Sequence, residues 1–288
     1  MKKVISFSGG RTSAYLVHLF KSDPNAHFVF MDTGAEHPAT YQFIQEVVKY
    51  WGIDLICLRV VINPQLGKGG DYRILGLDEL EQDLQPWKDM LAKYGSPAYD
   101  MAYCTGRMKT EPFKKYCTDK FGKGNYQTWV GIRSDEPKRL PIEVLQLLGL
   151  PVHQNAVKRK PQMNYLAEIS DFDKQDILNW WKKQPFDLSI PEHLGNCVFC
   201  IKKNLKKIAL AEKDEAQMAI KWIDLTEGDY VRTHGRKHNH KRMYRDRLHM
   251  SDVIEIFKGY SRNQIFNSLR STKQFDTNSC SESCEAIS

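Results

Sequence analysis

The chain has 288 residues and a mass of 33.4 kDa, enough to bury a full core as one large domain or a domain with an appendage. Its 42 Lys and Arg against 35 Asp and Glu give a formal net charge of +7, which suits an anionic ligand without demanding nucleic acid. No apolar stretch reaches signal or membrane length, so a cytoplasmic protein with no membrane partner is expected. In a reducing compartment the seven cysteines are better explained by metal binding, redox chemistry or burial than by a disulfide framework.

In chain order, residues 3–7 read as a short buried strand and the apolar spacing over 12–21 as a helix behind it. Two further β-branched runs, 27–31 and 55–61, flank a helical pattern at 39–51, and a fourth run, 127–132, follows a helical stretch at 111–121. This alternation predicts βαβ units and an α/β fold: a doubly wound, mostly parallel sheet of at least four strands with helices on both faces. A polar insertion at about 65–105 is expected to be partly helical around 77–94. After about Leu140 the pattern changes to shorter helical pieces at 170–184, with the paired Trp180 and Trp181, then 205–226, 251–257 and 262–269. The predicted organisation is a nucleotide-binding α/β domain (1–140), a smaller helical C-terminal region (141–270) and a polar, flexible tail (271–288).

In such sheets the ligand sits beyond the C-terminal strand ends, here the loops 8–13, 32–37 and 131–139. The first of these, Ser8-Gly9-Gly10-Arg11-Thr12-Ser13, places glycines at a strand-to-helix junction. There backbone N–H groups and the helix dipole can cradle a phosphate, with Ser8, Thr12 and Ser13 adding hydroxyls. A serine-capped tight turn is the competing reading. Asp32-Thr33-Gly34, ending the second strand, suits adenosine or magnesium, or an Asx-type turn. Gly131 and Arg133, ending the fourth, suit a polyphosphate or sulfate, or a solvated basic loop.

Four segments then occur in one order: Ser8-Gly9-Gly10-x-x-Ser13; Asp32-Thr33-Gly34 with Glu36-His37; Cys104-Thr105-x-x-x-Lys109-x-x-Pro112; and Gly131-Ile132-Arg133-x-Asp135-Glu136. In this the chain resembles the phosphoadenosine phosphosulfate (PAPS) reductase family of the adenine-nucleotide alpha-hydrolase, or PP-loop, superfamily, over roughly residues 3–215. The resemblance implies a five-stranded parallel sheet and ATP or a sulfonucleotide held by Ser8, Gly9, Gly10 and Ser13. The intact first loop resembles members that cleave ATP between the α and β phosphates, in the branch with DNA phosphorothioation ATPases and phage or prophage relatives. Thr12 stands where those ATPases often have Asp, which puts magnesium handling at this loop in question. Lys109 and Arg133 are the residues expected to offset phosphate charge.

Cys197-Val198-Phe199-Cys200 has the spacing of two thiolates on one metal. Cys104, at the family's cysteine position, makes a third. Resemblance to cluster-dependent tRNA thiolation enzymes implies a [4Fe-4S] cluster, with structural zinc as the alternative. Cys117 reads as a buried helix cysteine or a fourth ligand. Cys280 and Cys284 lie where the family's reductases carry a nucleophilic cysteine, but without the Glu-Cys-Gly-Leu motif. The basic stretch 232–247, with His234, His238, His240 and Tyr244, is a candidate nucleic-acid contact, and the three histidines are also weighed as metal ligands. The leading expectation is an enzyme that cleaves ATP to AMP and pyrophosphate to activate a substrate, with sulfur from a donor protein. The alternatives are a thiol-dependent sulfonucleotide reductase and a nucleotide-sensing nucleic-acid-binding protein.

Overall fold

A computed structural model describes residues 1–233 and 241–271. Strand β1 (Lys2–Phe7), helix α1 (Arg11–Phe20), β2 (Ala26–Asp32), α2 (Pro38–Trp51) and β3 (Leu55–Val61) follow one another with the alternation that the apolar runs predict. Val4 to Phe7 and Phe28 to Asp32 are buried without a break, as central strands covered on both faces must be. Their side chains divide between two cores. Ile5, Phe7, Phe28 and Phe30 enter one with α1 and α2, and Val4, Val29 and Met31 enter the other.

The stretch 65–105 contributes both a strand, β4 (Asp71–Leu75), and a helix, α3 (Gln85–Tyr94). β4 runs antiparallel to β3 at the sheet edge, so a six-stranded sheet with one antiparallel edge stands in place of the five-stranded parallel one that the resemblance implies. Asp71, Arg73 and Ile74 are exposed and only Leu75 is buried. An edge strand of this kind has no apolar alternation to read. A π-helical turn, Gly106–Thr110, leads into α4 (Glu111–Phe121). Pro112 has no N–H to give Met108, and the Glu111 N–H reaches back five residues to the Gly106 carbonyl.

β5 (Tyr126–Val130) lies parallel beside β1, and β6 (Met163–Tyr165) beside β5, giving the order β4-β3-β2-β1-β5-β6. Helices α4 and α5 (Ile142–Leu147) cover one face, where Phe113, Tyr116 and Val144 meet Val4 and Val29. The other face carries α1 to α3 and then α6 (Lys174–Trp181), α7 (Leu205–Asp214), α8 (Ala216–Glu227) and α9 (Met250–Phe257). Trp181, Ile208, Trp222 and Val253 of these helices share one core with Ile5 and Phe30. The tryptophan pair makes the join. Trp180 meets Tyr15 edge-on at 5.1 Å and Trp181 meets Phe43 edge-on at 5.1 Å, contacts worth about 1 kcal/mol each beyond burial. Helix α10 (Arg262–Ser271) packs Ile265 and Leu269 on Ala209 and Leu210 of α7. Among the described residues, no helix is long and apolar enough to cross a membrane.

Candidate nucleotide site and thiol pocket

The turn after β1 is held by its own side chains. Gly9 has φ +78°, and a Cβ there would lie 2.8 Å from Thr40 Cγ2, so only glycine fits. The Ser8 N–H donates to Ser13 Oγ at 3.1 Å, and Ser13 Oγ donates to the Gly10 carbonyl at 3.0 Å. With that proton committed, the 2.8 Å contact between the two hydroxyls is a bond donated by Ser8. The serines therefore spend their protons shaping the loop. What the loop offers an anion is the first-turn amides and the positive dipole end of α1.

The end of β5 closes on the same point. A Cβ on Gly131 would stand 3.0 Å from Ser13 Cα, so its absence lets the strand end lie against the first turn of α1. Arg133 follows, 3% exposed, with Nη1 donating to Thr12 Oγ1 at 3.0 Å and with Nε and Nη2 on the Asp135 carboxylate at 2.7 and 3.1 Å. Its own N–H donates to Glu136 Oε2 at 3.1 Å, and Arg139 holds the other Glu136 oxygen at 2.6 Å. The guanidinium is thus fixed beside the loop before any ligand arrives.

These residues form one wall of a cavity of about 590 Å³, a size suited to a small-molecule ligand. The rest of its wall mixes apolar Ile177, Leu178, Leu188 and Ile190 with polar Lys174, Gln175 and Glu192, and includes Gly195 and Asn196. Arg11 binds this wall to the loop. Its guanidinium grips Asp187 at 2.6 and 3.0 Å and donates to the Leu188 carbonyl, while Trp181 Nε1 donates to the Arg11 carbonyl at 3.0 Å. At the N-terminus of α6, Asp173 accepts from the Asp176 N–H at 2.9 Å, and that bond holds its carboxyl below the usual range.

The end of β2 builds something else. The Asp32 carboxylate is fully buried and accepts from Arg59 Nε at 2.5 Å, Tyr41 Oη at 2.9 Å and the Gly34 N–H at 3.0 Å. Burial, reinforced by nearby Glu36 and opposed by Arg59, pushes the Asp32 carboxyl up to about 6. Burial also raises the Tyr41 hydroxyl, which keeps it a neutral donor. Thr33 Oγ1 lies 2.8 Å from both Glu36 oxygens and 3.4 Å from Cys197 Sγ, and Lys109 Nζ is 3.7 Å from Glu36. Thr33 and Lys109, with Cys104, Cys197 and Cys200, line a second cavity of about 10 Å³, room for a single water-sized sphere.

A family model, the phosphoadenosine phosphosulfate reductase domain, matches residues 2–67. Across 292 aligned residues the chain is 48% identical to an uncharacterized nin region protein, ORF290, of Escherichia phage lambda, covering 99% of this chain and 95% of that protein. The chain belongs to the PAPS reductase family. The phage relative is consistent with the phage and prophage branch. An uncharacterized Methanocaldococcus jannaschii protein is 27% identical over 135 residues, 46% of this chain and 23% of that one. The crystal structure of a PAPS reductase from Candida auris in complex with phosphate aligns at 13% identity and a TM-score of 0.35, over 63% of this chain and 71% of that one.

In this PAPS reductase family member the expected site residues fall into two groups. Ser8, Gly9, Gly10, Arg11, Thr12, Ser13, Gly131 and Arg133 border the large cavity. Asp32, Thr33, Gly34 and Lys109 do not border it. Cys104 and the distant pair Cys197 and Cys200 meet at the small one. Among the described residues, no group of three or more His, Cys, Asp and Glu side chains reaches metal-ligand arrangement. Cys117 lies in the opposite core near Phe113 and Val144, where burial pushes its thiol up to about 12. Tyr244 is also internal, its hydroxyl donating to the Phe199 carbonyl at 3.0 Å and accepting from Trp222 Nε1 at 2.9 Å. His234, His238, His240, Cys280 and Cys284 lie outside the described residues.

Sequence reasoning missed Arg59 and Tyr41, which hold Asp32, and Asp187, which holds Arg11. Arg59 sits within a β-branched run, and an arginine in a buried strand is itself a signal of an internal carboxylate partner. Asp187 carried no signal, being 176 residues from Arg11.

Proposed function

We propose that this protein binds ATP in the 590 Å³ cavity and cleaves it between the α and β phosphates, activating a substrate for sulfur transfer. The observation that carries this reading is the intact Ser8-Gly9-Gly10-x-x-Ser13 turn, leading into the N-terminus of α1 and flanked by Arg133, in a cavity that also carries Ile177, Leu178, Leu188 and Ile190. Those apolar side chains suit a purine and the amide-lined turn suits phosphates. Attack of a substrate atom on the α-phosphorus breaks the Pα–O bond to the β-phosphate, and the electron pair leaves with pyrophosphate. The α1 amides and the fixed Arg133 charge stabilise that leaving group, and donors held ready in this way are worth about 3 to 4 kcal/mol each.

Magnesium would be held mainly by phosphate oxygens. Asp135 and Asp173 are carboxylates on the cavity, while Asp32 is enclosed by Arg59 and Tyr41. Lys109, beside Glu36 and the thiols, serves the sulfur side in this reading.

Cys104, Cys197 and Cys200 line the small cavity together and are each 4–6% exposed, and thiolates are the ligands zinc and iron–sulfur clusters take, although the three do not stand in a ligand arrangement as they are. These three would hold a [4Fe-4S] cluster able to bind sulfur at an open iron, or a zinc ion. The stretch 232–247 is the proposed contact for a nucleic-acid acceptor.

Incubation with ATP labelled at the α-phosphate, together with candidate nucleic-acid acceptors and a sulfur donor, tests the reaction. AMP and pyrophosphate are expected. ADP alone, no turnover, or sulfite release from a sulfonucleotide would overturn it. Iron and sulfide in anaerobically purified protein would support the cluster, whereas stoichiometric zinc would make the thiols structural.

A further inference from the structure

Lys203 is 2% exposed. Lysine is almost never buried so fully unless its charge is met. Its ammonium donates to the carbonyls of His193 at 2.7 Å, Gly195 at 2.9 Å, Cys197 at 3.1 Å and Val198 at 2.9 Å. Those carbonyls belong to the segment that separates the two cavities. Gly195 and Asn196 face the large one, and Cys197 and Cys200 face the thiol pocket. Between them Asn196 takes a left-handed conformation, φ +57°, which turns the chain from one cavity to the other.

The far edge of this segment is anchored to the end of β2. The Val198 N–H donates to the Ala35 carbonyl at 3.1 Å, and Cys197 forms an isolated antiparallel bridge with Glu36. The segment therefore has one edge fixed on the sheet, one edge facing a ligand cavity, and a single ammonium bonded to both parts.

We infer that Lys203 is a positioning residue that couples the nucleotide cavity to the thiol pocket. This rests on the reading that the large cavity takes an adenine nucleotide. The ammonium has three N–H donors and shares them among these carbonyls. A shift of Gly195 as the cavity fills redistributes those bonds, and the Cys197 and Val198 carbonyls move in response. The path is one buried ammonium, short enough to be tested by one residue. Occupancy by nucleotide then sets how the Cys197 and Cys200 thiols are presented, so activation and sulfur chemistry are kept in step.

Peptide-resolved alkylation with iodoacetamide, with and without ATP, reads the coupling, while calorimetry measures ATP binding in parallel. In the wild type, ATP is expected to change the alkylation rate of Cys197 and Cys200 about fivefold or more, leaving Cys57 and Cys117 unchanged. Lys203→Met should still bind ATP but lose the ATP effect on the two thiols. In Lys203→Ala, ammonium chloride should restore the effect and tetramethylammonium chloride at equal ionic strength should not.

ATP binding to the wild type with no change at Cys197 and Cys200 overturns the coupling alone. No ATP binding overturns the nucleotide reading and the coupling with it. Persistence of the ATP effect in Lys203→Met removes Lys203 from the path. Should the Lys203 variants fail to fold, the wild type decides, since protein alkylated at Cys197 and Cys200 must then bind ATP with altered affinity.

Discussion

At the end of β1 the turn from Ser8 to Ser13 opens onto a cavity of about 590 Å³, while at the end of the neighbouring strand Asp32 is sealed against Arg59 and Tyr41 with no exposed surface. Both turns are polar, glycine-bearing and adjacent in the sheet. They differ in what meets their polar groups. The β1 turn uses side-chain hydroxyls to satisfy itself and leaves helix amides for a ligand. The β2 turn meets its carboxylates with internal cations and hydroxyls, so it forms a buried support beneath the thiol pocket. At the β2 turn the protein has itself supplied the partners that a ligand would otherwise provide.

The contrast can be broken most forcefully at Arg59. Arg59→Met leaves Asp32 buried without its cation and should cost about 3 to 5 kcal/mol in urea unfolding, with ATP affinity of the folded fraction unchanged. A loss of ATP affinity at unchanged stability would show Asp32 serving the ligand after all.

The same carboxylate should give a pH signature. Its ordinary value of 3.8 rises to about 6 in the folded chain, so between those values the folded state binds the extra proton. Stability from this group is present below about pH 4 and is lost as pH rises to about 6, by about 3 kcal/mol. Urea unfolding of Asp32→Asn across this window should lack that decline, and identical slopes in both proteins would remove Asp32 as its source.

On the β1 side, Gly131→Ala places a methyl group 3.0 Å from Ser13 Cα and should cost about 1 to 3 kcal/mol. Here ATP binding, read by calorimetry, should weaken as well, because the strand end and the loop must separate. Ser13→Ala, which removes the bonds to Ser8 and Gly10, should have the smallest effect, about 1 kcal/mol in thermal unfolding. Its ATP affinity should also fall. If ATP affinity responded to neither variant, the β1 turn would be no more a ligand site than the β2 turn.

How legible each part was follows from burial. Strands β1 to β3 were readable because both faces are covered and their apolar runs are continuous. β4 was not, because an exposed edge leaves no pattern. The Cys197-x-x-Cys200 pair was readable from spacing, but its meeting with the distant Cys104 is a tertiary contact. Lys203 stood in a lysine-rich run, where nothing local marks which lysine turns inward.

The sequence by itself determined the α/β alternation, the glycine turn at the head of α1 and the residue types able to bind phosphate and thiophilic metal, since these rest on local spacing and backbone freedom. Only the tertiary structure decided which of them share a cavity. Asp187 and Trp181 come from more than 150 residues away to roof the first turn, and the carbonyls around Lys203 set one loop between two sites. Side-chain direction and internal pairing arise from packing, and packing is not written in any local stretch of chain.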